Sequence, residues 1–180
     1  TLDGGFDFTA TVGTANVTLT GAVGGSTPLG AILLSSSGQM TFGSSVTATS
    51  LTTNTNGTVR LGGNVTTTGI QTYNDAIVLT NDVALTGTDI TLTRTVDSDT
   101  TARALTVTGS GVTTFGGIVG TTALASLAVN GTGTTLLNAG AVTTVGAQSF
   151  GNAVTLGVNT ALVTTNSNVE LSSTLNSLAS

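Results

Sequence analysis

Apolar and polar residues alternate along most of this chain. NVTLTGAV (Asn16 to Val23), VTATSLTT (Val46 to Thr53), DITLTRTV (Asp89 to Val96) and ALTVTGSG (Ala104 to Gly111) all carry the pattern. A period of two sends alternate side chains to opposite sides of a strand, one set inward and one outward. Thr is the commonest residue, and Thr and Val are β-branched and favour strands. Strong helix formers such as Glu, Lys, Gln, Arg and Met are scarce, so no substantial α-helix is expected. Turn signals separate the alternating runs: Gly24-Gly25, Asn56-Gly57, Gly109-Ser110-Gly111 and Asn130-Gly131. The single proline, Pro28 in STPLG, marks a further corner.

These features fit either an antiparallel sandwich or barrel, or a β-solenoid whose coils stack on one another. Internal repetition decides between them. A loose unit recurs, made of an apolar anchor, a Gly/Asn/Thr corner, then Val or Ile. Its anchors are Leu19, Phe42, Leu61, Leu85, Phe115, Leu137 and Val163, spaced 19 to 30 residues apart. A longer phrase, TTTGIQTYNDAIVLTNDVAL (Thr66 to Leu85), returns 77 residues later as TTVGAQSFGNAVTLGVNTAL (Thr143 to Leu162), a shift of about three coils. GAVGGSTPL (Gly21 to Leu29) returns as GIVGTTAL (Gly117 to Leu124) after 95 or 96 residues, which implies one additional coil in one copy. Length changing by whole coils suits a solenoid, where each coil touches only its neighbours. The expected fold is all-β, a parallel β-helix of about seven coils of roughly 19–30 residues, with residues 1–180 forming a single domain or segment.

Composition agrees. Charged residues are 6% and aromatics 3%, against about 25% charged in ordinary globular domains. Mean hydropathy is nevertheless +0.41, which argues against a disordered tract. Stacking explains both figures. Aliphatic ladders fill a narrow core without aromatics, and like charges repeated at about 4.8 Å would repel, so outward positions are Thr, Ser and Asn. The net charge is −5 with three Arg and no Lys, which argues against nucleic acid and anionic membranes. The absence of His, Cys and Lys excludes imidazole and thiolate metal sites, Ser–His–Asp triads, Cys nucleophiles and Schiff bases. No apolar run is long enough for a spanning helix.

The candidate sites are few, and each has a plain structural alternative. The stretch TVDSDTTAR holds Asp97, Asp99 and Arg103 and reads as a solvated loop that widens one coil, rather than a Ca²⁺ site with its six to eight oxygen ligands. LDGGFDF holds Asp3 and Asp7 without the regular repeat of calcium-binding rolls. Paired carboxylates for glycoside cleavage lack sugar-stacking aromatics: there are only Tyr73 and five Phe. Thr-x-Thr pairs recur at Thr18/Thr20, Thr47/Thr49, Thr53/Thr55, Thr86/Thr88, Thr91/Thr93, Thr93/Thr95 and Thr106/Thr108, and resemble an ice-binding face if stacked in register. Uneven coil lengths argue for ordinary strand exterior. Asn16, Asn56, Asn64 and Asn130 begin Asn-x-Thr sequons, read as turn signals.

TTTGIQTYNDAIVL, TTFGGIVGTTALASLAV and GAVGGSTPLGAI resemble the Thr/Gly-rich repeats of giant bacterial filamentous surface proteins, the haemagglutinin-like and autotransporter-type adhesins. The resemblance spans roughly Val17 to Leu171. It implies a right-handed parallel β-helix, secretion and a surface or matrix role, and it supplies no catalytic, cofactor-binding or metal residues. No capping helix or Lys blunts either end, and VELSSTLNSLAS (Val169 to Ser180) still partly alternates. The chain therefore reads as a piece of a longer repeat protein, or one that stacks head to tail on its own copies. The expectation is a non-enzymatic extracellular building block whose partners are itself, further repeats, or surface glycans. The alternative is an adhesive or ice-binding module using a Thr-rich lateral face.

Overall fold

The alternating runs form strands, and each strand pairs in parallel with the strands one turn before and after it. The computed structural model describes residues 1–54 and 56–178. The first turn carries β1 (Phe8–Thr11) and β2 (Val17–Leu19), the second β3 (Leu29–Ser35) and β4 (Gln39–Phe42), and the third β5 (Val46–Thr53) and β6 (Thr58–Leu61). From the fourth turn onward each turn has three strands. These are β7 (Val65–Thr67), β8 (Gln71–Tyr73) and β9 (Ala76–Leu79); β10 (Val83–Gly87), β11 (Ile90–Leu92) and β12 (Val96–Ser98); and β13 (Ala104–Gly109), β14 (Val112–Phe115) and β15 (Val119–Leu124). They continue as β16 (Ser126–Asn130), β17 (Thr134–Leu137) and β18 (Ala141–Thr144), then β19 (Gln148–Phe150), β20 (Ala153–Leu156) and β21 (Ala161–Thr164). A further part-turn holds β22 (Val169–Leu171) and β23 (Leu175–Ser177). The described residues contain no helix, and so none long and apolar enough to cross a membrane.

The result is a parallel β-solenoid of about eight turns with three faces. The third face is an eight-stranded sheet running from β2 to β21. The first and second faces are joined into one fifteen-stranded sheet through β5. The front of β5 (Val46–Ala48) pairs with β7, and its back (Leu51–Thr53) pairs with β8. Beyond β5 the long strand is split at a corner, and each half continues as its own face.

Inward residues pile up in ladders. On the third face Val17, Met40, Val59, Ile77, Val96, Val119, Val142 and Leu162 are stacked partners. All but Leu162 are buried. At about 1.5–3 kcal/mol for each fully buried aliphatic side chain, such columns are the main stabilising term.

The register corrects three details of the repeat. There are about eight turns rather than seven, and their length runs from 18 residues (Leu61 to Leu79) to 24 (Phe8 to Ile32). The sequence anchors fall on different faces. Leu19, Phe42 and Leu61 stack on the third and Phe115 on Leu137 on the second, while Leu85 lies on the first. The apparent 30-residue coil is a step from one face to another. The 77-residue echo is also rotated. It carries β7, β8, β9 and β10 onto β18, β19, β20 and β21, eleven strands on, which at three strands per turn is three turns and two thirds. The two copies therefore occupy different faces, because the phrase encodes strand, corner and strand and does not specify a face.

The second echo follows the same rule. Val23 pairs with Val46 on the first face, and Val119 with Val142 on the third. In both copies the chain then bulges before regaining register, at Leu29 opposite Ala48 and at Leu124 opposite Thr144. Gly24 (φ 64°) and Gly120 (φ 80°) open the bulges. A Cβ there would lie 2.0 Å from the Thr47 carbonyl oxygen and 2.1 Å from that of Thr143, so only glycine fits.

At the terminal rungs the ladders lose their cover. Leu2, Phe8, Ala10 and Leu19 at one end, and Leu156, Leu162 and Leu171 at the other, are only partly buried. Leu175, inward-registered over buried Val154, is 54% exposed.

Candidate functional site

The Asp residues have partners that the sequence does not display. Asp3 Oδ1 accepts the Ser26 N–H (2.8 Å), Asp7 that of Ala31 (2.7 Å), Asp82 that of Ala104 (2.9 Å), Asp89 that of Val112 (2.7 Å) and Asp97 that of Thr122 (2.8 Å). Each donor lies one turn further along. Buried Asp75 reaches back one turn to the Gly57 N–H (2.7 Å). Asn16 and Asn64 do the same work as the outward Asp residues, accepting the N–H groups of Gln39 and Ala84. These side chains clasp neighbouring turns where the backbone leaves the ladder, which satisfies amides at the corners. Asp3 clasps the first bulge and Asp97 the second.

The stretch Asp97–Arg103 is thus divided. Asp97 is a strand residue on β12 serving the next turn. Asp99 closes a short loop: it accepts the Thr101 N–H (3.0 Å) and pairs with Arg103 at 3.1 Å. The Arg103 hydrogen bond, then the Thr101 N–H, hold the Asp99 carboxyl below its ordinary value, and Asp99 in turn raises Arg103. The Ser26 N–H, with smaller help from Thr27, lowers Asp3. Glu170 accepts the Ser172 hydroxyl at 3.0 Å. Among the described residues no three of His, Cys, Asp or Glu gather at one site.

Sequence reasoning missed two buried glutamines. Gln71 Nε2 donates to the carbonyls of Val65 (3.2 Å) and Thr86 (2.8 Å) and to Thr67 Oγ1 (3.3 Å). Gln148, its echo, donates in the same way to Val142 (3.0 Å), Val163 (2.8 Å) and Thr144 (3.2 Å). In both, the Thr hydroxyl donates two residues onward, to the Gly69 or Gly146 carbonyl. The shared pattern Thr-x-Gly-x-Gln is a corner module, and it turns the chain from the first to the second face in one copy and from the third to the first in the other. One difference separates them. The Tyr73 hydroxyl donates to Gln71 Oε1 at 3.0 Å, whereas Phe150 has no hydroxyl and Gln148 Oε1 is buried without a partner among the described residues. Burial pushes the Tyr73 phenol far above its ordinary value.

The Thr-x-Thr pairs are partly assembled. Thr47, Thr66, Thr86 and Thr108 are register partners on four successive turns of the first face. Two residues on, the stacking continues only as two separate pairs, Thr68 over Thr49 and Ser110 over Thr88, because the Thr88 N–H donates to the Gly69 carbonyl and the register shifts between them. The Thr68 N–H to the Ala48 carbonyl sets Thr68 over Thr49, and the Ser110 N–H to Gly87 sets Ser110 over Thr88. On the second face Thr52, Thr72, Thr91 and Thr114 make a single column. Thr18 and Thr41 on the third face are followed by Arg60 and Val78. Thr106 stands between Ala84 and Ala128. Thr93 is tied to Asn74 by its hydroxyl. Thr53 faces inward and is buried, and its pair-mate Thr55 lies outside the described residues.

No family model, curated protein or solved structure matches this chain.

Proposed function

We propose that this chain is a non-enzymatic β-solenoid building block of a bacterial extracellular filament, adhesin or surface layer, extended through its ends by further turns or by another copy. The observation that carries this reading is the state of the terminal rungs. Their strands have one unpaired edge each, and the inward apolar residues Leu2, Phe8 and Leu19 at one end and Leu162, Leu171 and Leu175 at the other lack a covering rung. All strand pairs are parallel, so one end of the stack presents the edge that the other end accepts without reversal. The engagement of the Asp side chains with backbone amides supports a structural use for them.

Sedimentation over a concentration series tests the reading. The unmodified chain should form longer species as concentration rises. Val169→Lys with Leu175→Lys, which put charge on one terminal edge, should hold it at a single size while circular dichroism still reports β-structure. Equal assembly by both chains would refute it.

The first-face Thr column favours a second reading, a lateral adhesive or ice-binding face. Thr47, Thr66, Thr86 and Thr108 on four successive rungs at about 4.8 Å make a regular uncharged row. Thermal hysteresis that disappears in Thr66→Lys and Thr86→Lys would support it, and absence of hysteresis together with silence on a glycan array would remove it.

A further inference from the structure

The chain contains two Asn-Gly dipeptides in the same local context, Asn56-Gly57-Thr58 and Asn130-Gly131-Thr132. Their chemistry in an unfolded chain would be closely similar. The fold separates them. The Gly57 N–H donates to Asp75 Oδ1 at 2.7 Å, and Asp75 is 1% exposed, so that amide is held by a buried carboxylate. The Asn56 side chain accepts the Arg94 guanidinium at 3.4 Å. The Gly131 N–H has no acceptor among the described residues, and Asn130 and Gly131 are both exposed. Gly131 sits at φ 104° in a loop of three residues between β16 and β17.

The geometry points to Asn130 as a site of self-modification, in which the chain converts this asparagine to aspartate and isoaspartate. The Gly131 backbone nitrogen attacks Asn130 Cγ and loses its proton. A new C–N bond closes a succinimide ring, and the side-chain amide nitrogen leaves as ammonia. Water then adds to one of the two ring carbonyls and breaks its bond to the ring nitrogen, giving aspartate or isoaspartate. No oxidant, reductant or cofactor enters the balance. At Asn56 the same step is opposed, because the attacking nitrogen must first give up a proton held against a carboxylate, and the resulting anion would face that carboxylate. Asn130 is the register partner of Thr108, so conversion places a negative charge at the end of the uncharged Thr column.

Incubation of the folded protein at mildly alkaline pH, followed by peptide mapping with mass spectrometry, tests this. The Asn130 peptide should gain one mass unit, with isoaspartate separating chromatographically, while the Asn56 peptide lags by roughly tenfold or more, the factor expected for a hydrogen bond to a charged group. In urea the two rates should converge. Equal rates in the folded protein, or an unchanged Asn130 in the folded protein that converts readily in urea, would overturn the inference. Asp75→Asn provides a further check: if it keeps its circular dichroism, it should raise the Asn56 rate and leave that of Asn130 alone.

Discussion

The two copies of the glutamine corner differ by one oxygen, and each can be converted into the other. In Tyr73→Phe the Gln71 Oε1 loses its donor while its Nε2 keeps three acceptors. Tyr73 and Gln71 are both fully buried, so no water replaces the hydroxyl without rearrangement. An orphaned neutral acceptor costs about 1–3 kcal/mol, and relief from burying the hydroxyl offsets part of it, leaving a loss of about 1–2 kcal/mol. In Phe150→Tyr a donor arrives beside the orphaned Gln148 Oε1. Phe150 stacks between Val129 and Leu171, and the Leu171 rung is only partly buried, which leaves room to adjust. The expected gain is about 0.5–1.5 kcal/mol, the net value of a typical hydrogen bond. Urea unfolding followed by circular dichroism reads the sum, and amide exchange at Thr72 and Ser149 reads each corner separately. A neutral Tyr73→Phe together with a destabilising Phe150→Tyr would show that ring packing, not the hydroxyl, distinguishes the copies.

Other consequences follow from the same contacts. Because Tyr73 is raised by burial and the chain has no Cys or Lys, its stability should be intact below about pH 10 and fall above it by about 1.4 kcal/mol per pH unit, a slope that Tyr73→Phe abolishes in alkaline unfolding curves. Gly120→Ala should cost about 3 kcal/mol or more from positive φ and the Thr143 carbonyl. Gly140→Ala, whose Cβ meets nothing within 4 Å, should be neutral or slightly stabilising in the same melt. Asp97→Asn keeps the acceptor for the Thr122 N–H and should change stability little, whereas Asp97→Ala should cost about 1 kcal/mol and speed amide exchange at Thr122.

Much of this architecture was legible in the sequence because a solenoid writes its rules locally. The period of two in VTATSLTT and ALTVTGSG gave the strands, and the paired echoes gave the stacking. The face on which a phrase lies was not legible. Thr66–Leu85 and Thr143–Leu162 obey the same local rules on different faces, since a corner such as Thr-x-Gly-x-Gln needs only a hydrogen-bonding turn. Mixing the faces produced seven coils and a false 30-residue step. The roles of Asp97, Asp82 and Asp75 were hidden for another reason. Their donors lie 25, 22 and 18 residues away, respectively, at distances set by turns of unequal length. Gln71 and Gln148 gave no signal in the sequence, because a polar side chain can be placed inside only when its partners are known.

Cryo-electron microscopy of the purified chain at neutral pH, over a range of concentrations, most directly tests extension through the ends. A building block of this kind should give rods of one width, with rungs about 4.8 Å apart along the long axis, whose length grows with concentration by whole-chain increments. Particles of a single, chain-length size at every concentration would contradict it.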